Sequence, residues 1–145
     1  IRRKNLQERG LFMAKYLLDS NVIIDYLRYE KNVSRHIETM LASDNILSIC
    51  PHVYYEVVRG FKIVDGTKKL KVFFALSESL DVLPFDFAAA DKAVEIYVQL
   101  RKGQTIEDND IYIAATAMVN DCVLVTANTR HFGRVEGLRI VDWRL

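Results

Sequence analysis

The feature that most constrains this chain is an alternation. Short aliphatic runs, "YLLD" at 16–19, "NILSIC" at 45–50, "DVLPF" at 81–85, "CVLV" at 122–125 and "LRIVDW" at 138–143, are separated by longer segments whose apolar residues recur at helical spacing. Strands that return only after a helix pair in parallel, and a parallel sheet is covered by helices on both sides. The expectation is an α/β chain with a central parallel sheet. In such folds ligands bind at the carboxyl ends of the strands. Asp19 follows the first run directly, and Asn128 lies just past "VLVT".

Between the strands, "SNVIIDYLRYE" carries Ile23, Ile24 and Leu27 at helical spacing, and residues 33–43 read as a second helix capped by Asn32 or Ser34. Pro51 stops the second strand and suits the first turn of a helix through "HVYYEVVRG", with Gly60 as its end. Residues 67–80 are amphipathic through Leu70, Phe73, Phe74 and Leu80, with Val72 and Leu76 as extra apolar positions away from that stripe. Asp86 caps a long helix with Ala90, Ala93, Tyr97 and Leu100 on one face, closing at Gly103. "DNDIYIAATAMVN" places Ile111, Ala114, Ala115 and Met118 on one stripe.

The chain of 145 residues suffices for one domain and is short for two. Residues 1–12 read as an N-terminal extension or vector-derived residue ahead of a natural start at Met13, leaving residues 13–145 as a single domain. That opening segment shows no signal-peptide pattern, and no apolar run reaches the roughly 18 residues of a membrane span. A protein of the cytoplasm, without a membrane, is expected. Outside the first dozen residues the chain has 16 basic and 18 acidic side chains, so bulk charge does not make it a nucleic-acid binder. Cys50 and Cys122 are far apart and match no metal or disulfide spacing, which suits buried free thiols in a reducing compartment.

Three carboxylates interrupt apolar surroundings: Asp19 at the end of the first strand, Glu56 inside "VYYEVV", and Asp110 ahead of "IYIAATA". Asp110 shares a helix face with Ala114 and Ala117, small residues that let the helix press on the sheet. If the three converge, each raises the pKa of the others unless a cation is present. The sequence offers no matching arginine cluster, and an all-oxygen donor set fits Mg²⁺ or Mn²⁺. Such a site makes water nucleophilic and holds a phosphodiester. Ser20, Asn21, Thr126 and Asn128 are candidates to orient the ligands, with Asp108 a further one. Each piece also has a plain structural reading. Asp108 makes a good N-cap, Asp25 pairs with Arg28, Glu56 pairs with Arg59, and His131 is a surface histidine.

Four stretches in order, "LLDSNVIID", "YYEVVRG", "NDIYIAATA" and "LVTANTRHFGRVEGL", with a final "VDW", closely resemble the PIN-domain ribonucleases, and most nearly the VapC toxins of toxin–antitoxin pairs. The resemblance spans residues 15–143. It implies a three-layer α/β/α sandwich and a Mg²⁺- or Mn²⁺-dependent endoribonuclease that leaves a 3′-hydroxyl and a 5′-phosphate. Asp19, Glu56 and Asp110 fall on the family's metal-binding acids, Ser20 and Asn21 on the polar residues beside the first of them, and Thr126 on its hydroxyl near the site. The family's fourth, often acidic, position falls on Asn128, a departure from the acidic quartet that weakens the case for a second metal. The implied partners are an RNA substrate, a VapB-type antitoxin and a second copy of the chain, with the 67–80 helix as a groove or seam for one of the last two. Arg130, Arg134 and Lys102 are RNA-contact candidates, and Tyr54 and Tyr55 are candidates for base stacking or core packing.

Three other readings stand beside this one. A haloacid-dehalogenase-like phosphohydrolase also starts from a strand-end aspartate, but it needs an acid two residues on, where this chain has Asn21. A phosphoacceptor receiver domain needs an acidic pair at the first strand, which Leu18–Asp19–Ser20 does not supply. A PIN-fold RNA-binding module with weakened catalysis is kept open by Asn128.

Overall fold

The computed structural model describes residues 14–101, 103 and 105–145. The expectations for residues 1–12, Met13 and Lys102 therefore lie outside the described residues. The element order is β1 (Lys15–Leu18), α1 (Ser20–Leu27), α2 (Lys31–Leu41), β2 (Ile46–Ile49), α3 (Pro51–Lys62), α4 (Thr67–Ser77), β3 (Asp81–Val82), α5 (Phe87–Leu100), α6 (Asp108–Val119), β4 (Val123–Val125), α7 (Thr129–Phe132) and β5 (Ile140–Val141). Five strands form one sheet in the order β3-β2-β1-β4-β5. Every pairing is parallel, with Leu17 opposite Ser48 on one side and Leu124 on the other. This is the expected three-layer α/β/α sandwich.

The strand order fixes where a site can form. The chain moves outward from β1 through β2 to β3, then crosses back to lay β4 and β5 on the other side of β1. Right-handed crossovers change face when that direction reverses, so both faces of the sheet acquire helices. Leu17 and Leu18 of β1, Leu47 of β2 and Leu124 and Val125 of β4 are almost fully buried, as strands covered on both faces must be. On one side α1 packs against α2, α3 and α4; α6 packs against α5, α3 and β4. The gap between β1 and β4 is the switch point, and its carboxyl edge is the natural crevice.

Several local expectations are corrected. Helix α2 is capped by Glu30, whose carboxylate accepts from the N–H groups of Asn32 and Val33, so neither Asn32 nor Ser34 caps it. Helix α3 runs through Gly60 to Lys62, because nothing at that position demands a left-handed turn. On α4 the buried residues are Leu70, Phe73 and Leu76, while Phe74 is 42% exposed; the face is set by α1 and α3 together and is rotated from the expected stripe. On α5, Asp86 caps as expected, accepting from Ala89 N–H at 3.0 Å, but Ile96 is buried where Tyr97 was expected. The N-cap of α6 is Glu107, with Asp108 already in the first turn. Asp25 turns away from Arg28 to bind Arg144 near the carboxyl terminus, at 2.6 and 3.2 Å. Cys50 and Cys122 are free, and burial pushes both thiols up to about 11. Among the described residues no helix is long and apolar enough to cross a membrane.

Candidate active site

Asp19 is the first residue past β1, and its backbone bonds to Val125 of β4 at 2.9 Å. Asp19 is 4% exposed, and both of its carboxylate oxygens accept hydrogen bonds. Oδ1 accepts from Ser20 N–H at 2.8 Å, and Oδ2 accepts from the Thr126 hydroxyl at 2.8 Å and the Asn21 amide at 3.2 Å. The Asn21 carbonyl accepts from Ala127 N–H at 3.1 Å, which commits its NH₂ to the carboxylate. Thr126 Oγ1 donates its one proton to Asp19 and accepts from Asn128 N–H at 3.0 Å. Thus Asp19 caps α1 and also anchors a network joining β1 to the loop after β4. Burial raises its pKa above the ordinary value, opposed by these bonds, and the charge of Asp110 raises it further.

Glu56 lies on α3, the helix that leaves β2 at the same edge of the sheet. Its Oε1 is buried with no hydrogen-bond partner. Burial raises its pKa, and the charges of Asp19 and Asp110 add to the rise; the Ser20 hydroxyl and Arg59 oppose it weakly. The expected Glu56–Arg59 pair does not form as a salt bridge, and Arg59 lies instead over the Tyr55 ring at 5.0 Å. Asp110 sits in the first turn of α6, whose Ala114 and Ala117 are fully buried, so small residues do bring this helix close to the sheet. Asp110 Oδ2 is 2.8 Å from His131 Nε2, where the ring nitrogen donates to the carboxylate.

The fold thus brings Asp19, Glu56 and Asp110, from three elements, within electrostatic reach of one another. Cys50, at the start of α3, senses the charges of both Asp19 and Glu56. Among the described residues no three acidic, histidine or cysteine side chains stand close enough to form a closed metal cage. The arrangement is a charge cluster rather than a preformed cage. An orphaned buried carboxylate oxygen beside two other acids is what a hard cation would relieve, so the donor set fits Mg²⁺ or Mn²⁺.

The other candidates divide. Ser20, Asn21 and Thr126 reach the cluster directly. Asn128 is exposed and contributes its backbone, as the residue before α7. Asp108 is exposed on the outer side of the first turn of α6. Arg130 and Arg134 are exposed on and just after α7. Tyr54 packs on Phe73 and Phe74 at 5.7 and 6.4 Å between ring centres while remaining 45% exposed; Tyr55 is 58% exposed. His131, read from the sequence as a surface histidine, instead meets Asp110. Its partner lies 21 positions away, and the one-turn helix that presents it has no periodicity to read.

The PIN domain family model matches residues 16–138. Ribonuclease VapC1 of Methanocaldococcus jannaschii is 33% identical over 135 residues, covering 89% of this chain and 88% of that protein. The tRNA(fMet)-specific endonuclease VapC of Shigella flexneri is 32% identical over 133 residues, covering 90% and 99%. In the solved structure of DNA-bound VapBC from Salmonella typhimurium, a chain 29% identical to this one superposes with a TM-score of 0.79, covering 90% and 99%. The sheet order, the strand-end aspartate and these matches together make the chain a member of the PIN-domain family, among its VapC proteins.

Proposed function

We propose that the protein is a Mg²⁺- or Mn²⁺-dependent endoribonuclease that acts in the cytoplasm as the toxin of a VapBC-type pair. The observation that supports this most is the convergence of Asp19, Glu56 and Asp110 at the switch-point edge, with one buried oxygen of Glu56 lacking any partner. The names of the relatives supply the nuclease class and make RNA, tRNA first, the substrate to test.

The metal would be held by Asp19, Glu56 and Asp110, and when bound it would supply the positive charge that makes water nucleophilic and neutralises the scissile phosphate. The chain's own residues then have distinct tasks. Thr126, Asn21 and the Ser20 N–H hold Asp19 in one rotamer with its charge hydrogen-bonded. Glu56 keeps an oxygen uncommitted. Arg130 and Arg134 offer exposed positive charge beside the site for the flanking phosphates.

The partner is proposed as a VapB-type antitoxin, since VapBC complexes are among the solved structures that this chain resembles. A groove of about 780 Å³ lined by Leu27, Tyr29, Phe61, Val64 and Val72, with Arg28, Lys68, Lys69 and Lys71 around them, would accept a helix that has an apolar face and acidic flanks. A homodimer is proposed through the exposed apolar side of α5, which presents Phe87, Val94, Tyr97 and Val98.

The deciding experiment is cleavage of a tRNA and mRNA pool with Mg²⁺ or Mn²⁺, with and without chelator, by wild type and Asp19→Asn. Cleavage is expected to vanish with chelator and to fall in the variant by more than the roughly 10–100-fold that loss of a supporting bond costs. Cleavage that survives both changes would refute the carboxylate–metal reading.

A further inference from the structure

The contact between His131 and Asp110 has a geometry that a surface histidine does not need. His131 Nε2 stands 2.8 Å from Asp110 Oδ2, and both side chains are 23% exposed. No other side-chain bond to Asp110 is present among the described residues. The base of the imidazole is fixed. Its neighbour Phe132 is 1% exposed and meets the ring edge-on at 5.3 Å. Phe132 N–H bonds to Asn128 C=O at 3.1 Å and Gly133 N–H to Thr129 C=O at 2.8 Å, closing the single turn of α7.

That turn follows directly on the loop that carries Thr126. A single stretch of chain, 126–131, therefore delivers a hydroxyl proton to Asp19 and a ring N–H to Asp110. In each case it engages Oδ2. Glu56, on α3, receives no such support at Oε1.

We propose that His131 is a positioning residue for the acidic centre: by holding Oδ2 of Asp110 it fixes that carboxylate's rotamer and leaves Oδ1 as the oxygen presented to a divalent cation. This rests on the metal-site reading above. A carboxylate held by a fixed donor loses less freedom on binding a cation, which is why the partners of metal-binding side chains affect affinity without touching the metal.

The test is calorimetric titration of the full chain with Mn²⁺, for wild type, His131→Leu, His131→Gln and Asp110→Asn, with melting temperatures taken in chelator. His131→Leu is expected to weaken Mn²⁺ binding about 10–100-fold. His131→Gln, whose amide nitrogen can reach the same oxygen, is expected to recover most of that loss. A simple staple between α6 and α7 would lower the melting temperature of His131→Leu and leave its Mn²⁺ affinity unchanged, and that result would overturn the proposal. Equal loss in the Leu and Gln variants would also overturn it, since the imidazole itself would then be the ligand. Mn²⁺ binding lost in Asp110→Asn but kept in His131→Leu would sink this proposal alone. Absence of Mn²⁺ binding in wild type would sink the metal-site reading and this proposal with it.

Discussion

Glu56 occupies a position where an ionised carboxylate is costly in the absence of a cation. Burial, then the charges of Asp19 and Asp110, raise its pKa in the folded chain. The native state therefore holds a proton that the unfolded chain has already released, and folding stability falls as pH rises through that window. Glu56→Gln has no proton to lose. Without metal it is expected to melt with wild type below about pH 4, where the carboxyl is protonated in both states, and above wild type once Glu56 has ionised. Added Mn²⁺ should narrow the gap by stabilising wild type alone, and the variant should not cleave RNA. Thermal melts across pH, with chelator and with Mn²⁺, check this; a variant less stable than wild type at neutral pH would contradict it. Asp19 does not offer the same test. Its oxygens already accept three donors, so the amide of Asn would set an N–H against one of them. Both acids stood out in the sequence by their apolar settings, whereas His131 did not, because an exposed-looking "NTRHF" carries no sign of what lies across from it.

At the scale of elements, α6 explains how Asp110 reaches the centre. Ile111, Ile113, Ala114, Ala115, Thr116 and Ala117 are all buried, so the helix is enclosed on nearly every side. Ala114→Leu adds volume where no space exists and is expected to cost about 1–3 kcal/mol, read as a lower denaturant midpoint. The same variant is expected to cut RNA more slowly, because moving α6 off the sheet carries Asp110 with it. Normal cleavage from a destabilised Ala114→Leu would show that the placement of α6 is not critical. The existence of helices α1 to α6 and of all five strands was legible in the periodicity of their apolar residues; the single turn of α7 was not. Their ends and exact faces were less so. Glu30 displaced Asn32 and Ser34 as a cap, and α3 ran on past Gly60. The buried stripes on α4 and α5 turned toward Leu76 and Ile96, because neighbouring helices rather than the helix's own spacing decide which residues are covered.

For the whole molecule, the proposed division is between an acidic edge that cuts and a groove of mixed apolar and basic lining that is restrained. Val72, 41% exposed in that groove, tests the division. Val72→Glu would bury a charge against the antitoxin helix and is expected to weaken that complex by about 2 kcal/mol or more, roughly thirtyfold, while free-toxin cleavage is unchanged. Calorimetry with the antitoxin and a cleavage assay read the two halves separately; unaltered antitoxin affinity would move the docking site elsewhere. The sequence by itself determined the alternating α/β plan and the parallel sheet and singled out the three acids, since hydrophobic period and the cost of an apolar-embedded charge are local properties of the chain. It could not show that Thr126 meets Asp19 across 107 positions, that His131 meets Asp110, or that Asp25 prefers Arg144 to Arg28. Those pairings follow from β4 lying beside β1 in the order β3-β2-β1-β4-β5 and from the chain's return after it. A hydrogen bond depends on positions in space, and these were fixed only when the sheet closed around its central strand.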